Sequence, residues 1–164
     1  MPLNLNTEFI EFLERESRFF TSHFHGVHHW RTVERNGLYL AQHTGADPLV
    51  ISYFAYLHDC MRENEYEDPE HGPRAVKFAK RHRGLVELTD HQFQQLCAAC
   101  SGHTFGKASR CPTIATCWDA DRLDIGRVGI TPDAQFLFNE EAKRIAIERD
   151  FSVLESHYVI ERQE

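Results

Sequence analysis

Residues 47–59 of the chain, Asp-Pro-Leu-Val-Ile-Ser-Tyr-Phe-Ala-Tyr-Leu-His-Asp, form the most informative stretch of the sequence. Asp47 can accept hydrogen bonds from the exposed N–H groups of a first helical turn, and Pro48 suits the first helical position because it has no N–H group to satisfy. The apolar residues that follow point to almost every side of the predicted helix, so we expect a central, buried helix. A histidine and an aspartate, His58 and Asp59, stand at its C-terminal end.

Helix signals recur on both sides of this stretch, and nothing alternates between apolar and polar residues as a half-buried strand does. A chain of 164 residues is about one domain long. We therefore expect an all-α fold, a single-domain bundle of six to seven helices that spans residues 1–164. Capping residues and apolar periodicity predict the other helices over about 7–20, 30–45, 68–81, 89–100, 112–125 and 131–149.

The charge balance of the chain narrows the classes of partner. It carries 25 acidic and 18 basic side chains, a formal net charge of -7, and this argues against a surface that coats DNA or RNA. The net charge does not exclude a local basic pocket that binds a small anion. Residues 1–6 lack the basic and apolar regions of a signal peptide, and no run approaches the roughly 20 apolar residues that span a bilayer. We expect no membrane role and a cytoplasmic location.

The cysteines allow two interpretations. Five cysteines form an odd set without the spacing of a disulfide framework, so we expect reduced thiols. Cys97 and Cys100, with His103 close behind, also allow a structural zinc site. The two cysteines are three residues apart on the apolar side of a predicted helix, where cysteine behaves as a small buried hydrophobic residue. We favour buried thiols over a zinc site.

The pair formed by His58 and Asp59 indicates a metal site. Burying an ionised carboxylate beside an imidazole costs several kcal/mol unless a partner offsets it, and a divalent cation is the usual partner. A pair at a helix end that simply faces solvent is the alternative. His29, at the start of the preceding predicted helix, and Asp121, on the apolar stripe of a later one, are further candidate ligands. Two imidazoles and two carboxylates would bind a divalent ion and leave positions open for water and substrate.

At these residues the chain resembles the HD-domain superfamily of metal-dependent phosphohydrolases, whose signature is His, then His-Asp, then Asp on separate helices of an all-α bundle. The match runs in order through His29, the His58 and Asp59 pair, and Asp121, within a motif-bearing core of about 27–129 on which the terminal helices pack. The resemblance implies that these four residues hold the metal. It also implies that a metal-bound water hydrolyses a phosphoester in a small phosphorylated metabolite or nucleotide. Asp59 would in addition orient the attacking water or bridge a second ion.

The resemblance also suggests further site residues. The metal expected is a divalent ion, Mn²⁺, Mg²⁺, Fe²⁺ or Zn²⁺, because mixed nitrogen and oxygen ligands do not choose among them. Two-metal members of the superfamily recruit extra histidines, and His71 and His103 are the candidates here, as ligands of a second ion or as partners of the ligands. Some related nucleotidases place a glutamate shortly after the His-Asp pair to position the water. Arg62 stands at that position in this chain and Glu63 follows, so Glu63 is a catalytic candidate beside Asp59.

Basic residues near the motifs are candidates for binding the phosphate of the substrate, since a guanidinium fork suits that group. The candidates are Arg62, Lys107 and Arg122. Arg122 equally suits an ion pair with a neighbouring aspartate. The usual arginine of the family, three residues after the first histidine ligand, is replaced by Thr32. His25 and His28 lie close enough in the chain to the first ligand to be its hydrogen-bond partners.

Two other functions are also compatible with the sequence. In the first, the fold persists in a catalytically inactive nucleotide-binding or regulatory module, which the displaced glutamate and the missing arginine favour. In the second, the fold holds a di-iron centre and performs oxygenase chemistry, as a few members of the superfamily do. That chemistry needs six or more ligands, so His71 and His103 would have to bind. The C-terminal part, with apolar residues at Val153, Leu154 and Val159, would cap the core or form the face of a homodimer.

Overall fold

The computed structural model describes the backbone of residues 5–160 and the side chains of residues 5–156. This part of the chain contains no strand, so the all-α prediction is confirmed. Short 3-10 helices lie at Arg83–Leu85, Ile125–Val128 and Ala134–Phe136. The α-helices are α1 (Thr7–Glu16), α2 (Val27–Thr44), α3 (Pro48–Leu57), α4 (His71–Arg81), α5 (Asp90–Gly102), α6 (Pro112–Arg122), α7 (Glu140–Glu148) and α8 (Ser152–Ile160).

Helix α3 forms the centre of the bundle. The Asp47 carboxylate accepts hydrogen bonds from the N–H groups of Leu49 and Val50 at 2.9 and 3.3 Å, and Pro48 occupies the first turn. Every residue from Val50 to Leu57 is buried, and the helix packs against α2, α5 and α6. The predicted central helix is therefore confirmed, and it delivers His58 and Asp59 into the interior.

Helices α2 and α6 lie against each other and against α3. The close approach of α2 and α3 depends on Gly37, because a Cβ atom at that position would lie 2.5 Å from Cγ2 of Ile51. The side chain of Asn36 donates to the carbonyl oxygen of Ala120 at 3.1 Å and so joins α2 to α6. This packing sets the start of α2 beside the end of α6, where His29 and Asp121 stand.

The C-terminal segment differs from the sequence prediction of one long helix over 131–149, which is wrong. The chain instead forms a 3-10 turn and then α7, and Arg149 ends α7 in a left-handed conformation with φ of 55°. The physical reason is Asp119, a fully buried residue of α6. Its carboxylate accepts hydrogen bonds from the N–H groups of Phe138 and Asn139 at 2.9 and 2.8 Å, which holds these residues outside a helix.

Helices α7 and α8 pack against α2 and build a second, smaller apolar cluster. Leu154 is buried in this cluster, whereas the side chain of Val159 lies outside the described part of the chain. Helix α8 lies beyond the predicted ranges and brings the number of described α-helices to eight, against the six to seven expected. The cluster consists of Leu40, Leu123, Leu137, Ala142, Ile145, Ala146 and Leu154.

Replacing Asp119 with alanine will lower the free energy of unfolding by about 2–4 kcal/mol, because buried N–H donors lose their acceptor. Chemical denaturation followed by circular dichroism measures this change. The control is Asp90→Ala, since the Asp90 side chain is 99% exposed and its contact with Arg83 is a surface ion pair. We expect the control to change stability by less than about 1 kcal/mol, and equal effects of the two substitutions would contradict the role of Asp119.

Candidate metal centre

Four ligand groups from three helices meet in the interior and form what we call the first cluster. His29 lies in the first turn of α2, His58 and Asp59 follow the last turn of α3, and Asp121 lies in the last turn of α6. The Nε2 atom of His29 is 3.1 Å from Nε2 of His58 and 3.2 Å from Oδ1 of Asp121. Oδ2 of Asp59 lies 3.5 Å from Nε2 of His58 and 3.7 Å from Nε2 of His29. The structure thus brings together the four predicted ligands.

A second cluster forms on the other oxygen of Asp59. Its Oδ1 atom lies 3.1 Å from Nε2 of His71, the first residue of α4, and 3.6 Å from Nε2 of His103, which follows α5. The two imidazole Nε2 atoms are 2.7 Å apart. All three side chains are buried. Asp59 therefore contributes one carboxylate oxygen to each cluster, and His71 and His103 are brought together with it.

The partners of the four imidazoles fix which nitrogen carries the hydrogen. Each Nδ1 atom faces an oxygen that only accepts, so each neutral ring is protonated at Nδ1 and turns the lone pair of Nε2 into its cluster. While both rings are neutral, two such lone pairs cannot form a hydrogen bond with each other, and a cation between them satisfies both. The donor set therefore fits divalent ions. The acceptors are the Asp124 carboxylate for His29, the Phe54 and Ala55 carbonyls for His58, the Asp68 carbonyl for His71 and the Cys100 carbonyl for His103.

Burial and close contacts shift the pKa values of the first cluster. Burial acts to lower the pKa of His29, but its hydrogen bonds with Asp121 and Asp124 outweigh burial and raise the pKa above 6.5. Burial acts to raise the pKa of Asp121, yet its close contacts with His29 and His58 hold that pKa well below its usual range. The pKa of Asp59 is also held well below its usual range, because close contacts with His58 and the other surrounding histidines outweigh burial. These shifts favour ionised carboxylates at Asp59 and Asp121 and, as the pH falls, the protonated form of His29.

Metal binding at the first cluster should release a proton, because a histidine ligand must be neutral. The raised pKa of His29 favours the protonated, metal-free fold below pH 6.5, and this contribution is lost as the pH rises through the pKa of the folded state. We therefore expect metal affinity to increase with pH in that window, by up to about tenfold per unit for one proton. Calorimetric titration in buffers of different ionisation enthalpy counts the protons, and an affinity independent of pH would contradict the prediction.

Asp124 orients His29, a candidate ligand, by accepting a hydrogen bond from the ring nitrogen that does not face the first cluster. Its Oδ2 atom lies 2.6 Å from Nδ1 of His29 and 3.9 Å from the guanidinium of Arg127. Arg127 donates to the carbonyl oxygen of Phe24 at 2.7 Å and so connects the segment before α2 to the segment after α6. The orientation of His29 therefore depends on a carboxylate held by its own ion pair.

Replacing Asp124 with alanine should weaken metal affinity by about 10- to 100-fold, because His29 loses the acceptor that fixes its ring. Titration with Mn²⁺ or Zn²⁺, followed by calorimetry, measures the affinity. The matched control is Asp133→Ala, an exposed aspartate whose side chain accepts from the N–H group of Gln135. Equal metal affinities for the two variants would show that Asp124 does not support the site.

Asp68 supports the second cluster in a way that the sequence does not indicate. The sequence predicts that Asp68 opens a helix, but α4 begins at His71. The Asp68 carboxylate instead accepts from Arg74 and from the N–H groups of Glu63 and Asn64 at 2.7 and 3.3 Å. Because its carbonyl oxygen accepts from Nδ1 of His71, Asp68 joins the preceding loop to a candidate ligand.

The predicted substrate-binding and catalytic side chains lie in several environments. Nε of Arg62 is 3.3 Å from Oδ1 of Asp59, and Nη1 donates to the carbonyl oxygen of Asn64. The Glu63 side chain is 70% exposed, with its carboxylate 3.8 Å from Nε of Arg74. Their roles in catalysis and substrate binding stay predictions.

Lys107 follows His103 of the second cluster in the chain, and Arg122 follows Asp121 of the first cluster. Arg122 donates to the carbonyl oxygens of Gly106 and Phe136 at 2.7 and 2.9 Å, and so anchors the loop that follows His103. Lys107, in the same loop, is exposed. The structure therefore places Arg122 as a backbone anchor and leaves Lys107 in solvent.

Of the two cysteines that suggested a zinc site, Cys100 is a buried thiol as expected, and Cys97 is only partly buried. Cys100 is buried beside the second cluster, and burial raises the pKa of its thiol well above the usual value. His103 directs Nδ1 to the carbonyl oxygen of Cys100 and Nε2 to His71. Within residues 5–156, the groups of side chains that could hold a metal contain histidines and aspartates and no cysteine.

An all-α bundle with clustered His and Asp side chains at the ends of its central helices defines a known fold class. The chain is similar over 95% of its length to the crystal structure of a predicted HD superfamily hydrolase from an uncultured Thermotogales bacterium. The TM-score is 0.67, the sequence identity is 20%, and the alignment covers 91% of that chain. The chain therefore has the HD-domain fold, as the motif order predicts.

Two other comparisons give no match: no protein-family model and no curated protein matches the chain. Among the described residues, no helix combines the length and the apolar character needed to cross a bilayer.

Proposed function

We propose that the chain is a metal-dependent phosphohydrolase that cleaves a phosphoester of a small phosphorylated metabolite or nucleotide. The observation that carries this proposal is the pair of buried clusters joined by the two oxygens of Asp59. Ions held side by side on one carboxylate suit phosphoester hydrolysis, because paired metals contact both the attacking and the leaving oxygen.

The side chains divide the work in this proposal. His29, His58 and Asp121 would hold one ion, His71 and His103 the other, and Asp59 both. Divalent ions at such a site lower the pKa of a bound water and polarise a phosphoryl oxygen. The backbone carbonyls and Asp124 keep each imidazole at a fixed angle, so the ligands need no rearrangement when substrate arrives.

The charge of the site favours an anionic substrate on an acidic chain. Two divalent ions bring four positive charges, of which Asp59 and Asp121 offset two. The guanidinium of Arg62, close to Asp59, adds a further positive charge. A phosphate group therefore meets a locally positive centre, although the formal net charge of the chain is -7. Four imidazole ligands favour Mn²⁺, Fe²⁺ or Zn²⁺ over Mg²⁺, which prefers oxygen ligands.

The test is phosphate release by chelator-treated protein reloaded with Mn²⁺, Mg²⁺, Fe²⁺ or Zn²⁺ in turn. The substrates are an aryl phosphate and a panel of nucleotides and sugar phosphates. We expect release that depends on the ion, is lost in His71→Ala and is kept in His91→Ala, since His91 is exposed on α5. Absence of release with every ion and every phosphoester would overturn the proposal.

A di-iron oxygenase is the second candidate, because the structure brings together the six side chains that such a centre needs. The distinguishing measurement is oxygen consumption by protein loaded with Fe²⁺ under anaerobic conditions and then mixed with oxygenated buffer and phosphorylated metabolites. Substrate-dependent oxygen uptake without phosphate release would favour the oxygenase. Phosphate release without oxygen uptake would favour the hydrolase.

A further inference from the structure

The loop over residues 62–68 connects the two clusters along the chain, since it runs from the end of α3, with Asp59, to His71 at the start of α4. We call it the 62–68 loop. Most of its side chains are exposed, and Tyr66 is 91% exposed. The loop has little apolar burial of its own, so polar contacts must hold it in place.

His25 supplies one of these contacts. Its Nε2 atom lies 2.9 Å from the carbonyl oxygen of Glu65, and because a carbonyl only accepts, this nitrogen donates to the loop. The other ring nitrogen, Nδ1, lies 3.3 Å from Oδ2 of Asp59. His25 is only 7% exposed, and its own carbonyl oxygen accepts from the Trp30 indole at 2.8 Å. The buried imidazole therefore lies between the 62–68 loop, to which it donates a hydrogen bond, and the Asp59 carboxylate, which it contacts.

Arg62 links the loop to the other oxygen of the Asp59 carboxylate. Its Nε atom lies 3.3 Å from Oδ1 of Asp59, and its Nη1 atom donates to the carbonyl oxygen of Asn64 at 3.0 Å. Through His25 and Arg62, the two oxygens of Asp59 are thus each linked to a backbone carbonyl of the loop, those of Glu65 and Asn64. His71 adds a third link, because its Nδ1 faces the carbonyl oxygen of Asp68 and its Nε2 lies 3.1 Å from Oδ1 of Asp59.

We propose that His25 is a positioning residue that holds the 62–68 loop against the shared carboxylate Asp59, so that the loop forms part of the substrate-binding surface. This inference rests on the proposed phosphohydrolase function. The loop connects ligands of both clusters, so a phosphoester that reaches Asp59 lies beside it. Without His25, the anchor at Glu65 is lost while the ligands and the anchor through Arg62 remain.

Two substitutions separate the contacts of His25. The amide of His25→Gln reaches the position of Nε2 and can donate to the Glu65 carbonyl. The side-chain amide of His25→Asn takes the position of Nδ1 beside Asp59. It is too short to reach the Glu65 carbonyl of the loop. The control is His28→Asn, because the His28 side chain is exposed and the ring nitrogens of His29 face Asp124 and His58 instead, so His28 is not the hydrogen-bond partner that the sequence suggested. Thermal melting of all three variants checks that each one folds.

The first readout is hydrogen–deuterium exchange of the amides in residues 63–67, measured on metal-loaded protein. We expect exchange to become about tenfold faster in His25→Asn and to stay within about twofold of wild type in His25→Gln and His28→Asn. Unchanged exchange in His25→Asn would overturn the proposal that His25 holds the loop. This readout does not depend on enzymatic activity. It therefore tests whether His25 holds the loop even if the chain hydrolyses no phosphoester and the proposed function fails.

The second readout is the kinetics of aryl phosphate hydrolysis at saturating metal. We expect His25→Asn to lower kcat/KM by about 10- to 100-fold, mainly through a higher KM, with metal content unchanged and with His25→Gln close to wild type. A purely structural role would lower kcat through loss of active protein and leave KM unchanged. Faster loop exchange with an unchanged KM would overturn the role of His25 in positioning substrate.

Discussion

Replacing Asp59 with asparagine will lower the kcat of phosphoester hydrolysis by about 10³-fold, which corresponds to about 4 kcal/mol of transition-state stabilisation. The two oxygens of Asp59 face different clusters, Oδ2 the first and Oδ1 the second. Asparagine is neutral and offers a single oxygen, so it can serve one cluster at most. Steady-state kinetics and elemental analysis of the purified variant measure the effect.

The control for this substitution is Asp90→Asn, at an exposed aspartate in the first turn of α5. We expect that variant to keep wild-type activity and metal content. If Asp59→Asn retained its bound metal and lost less than tenfold in kcat, Asp59 would not be the group that joins the two clusters.

Divalent metal will raise the melting temperature of chelator-treated protein by about 10 °C. An ion that binds only the folded state at 1,000 times its dissociation constant stabilises that state by about 4 kcal/mol. For a chain of this size, each kcal/mol shifts the melting temperature by about 2–4 °C. The physical source is the pair of buried clusters, where imidazole lone pairs and carboxylates otherwise face one another. Differential scanning calorimetry with and without added Mn²⁺ or Zn²⁺ measures the shift.

The same titration of Asp59→Asn provides the control, and we expect most of the shift to disappear. Calcium should have little effect on the wild-type protein, because it prefers oxygen ligands and four of the six candidate ligands are imidazoles. A melting temperature that does not respond to any divalent ion would contradict metal binding in the folded state.

The central part of the fold follows from local signals. Asp47 and Pro48 start α3 as their chemistry predicts, and the Thr89–Gln92 capping box starts α5. These signals act within one turn of helix, so the neighbouring sequence contains all the information needed. The C-terminal segment is different, because its path depends on Asp119, a residue of α6 that binds the N–H groups of Phe138 and Asn139. A contact across about 20 residues leaves no local pattern.

The candidate ligands could be selected from the sequence because metal-binding residue types at the ends of apolar helices are unusual. The partners that orient them are harder to predict. Most of the imidazole Nδ1 atoms face backbone carbonyls, such as those of Ala55 and Cys100, and every residue has a carbonyl. Asp124 stands three residues after Asp121, and this helical spacing is the one local signal for its role in the sequence.

The basic residues can be selected from the sequence, but the positions of their charged groups cannot be predicted from it. Arg62 and Arg122 lie near the motifs in the chain, but the sequence does not reveal where a long side chain points. In the structure both guanidinium groups bind backbone carbonyls, Arg62 that of Asn64 and Arg122 that of Gly106. Only the three-dimensional contacts show that Arg62 also lies 3.3 Å from the Asp59 carboxylate.

Anomalous diffraction from crystals of the zinc- or manganese-loaded protein shows directly whether Asp59 joins two metal sites. We expect two anomalous peaks, one on either side of Asp59. One should lie among His29, His58 and Asp121, and the other between His71 and His103. If crystals grown with excess metal show no peak at these side chains, or show metal bound only elsewhere on the protein, Asp59 does not join two metal sites.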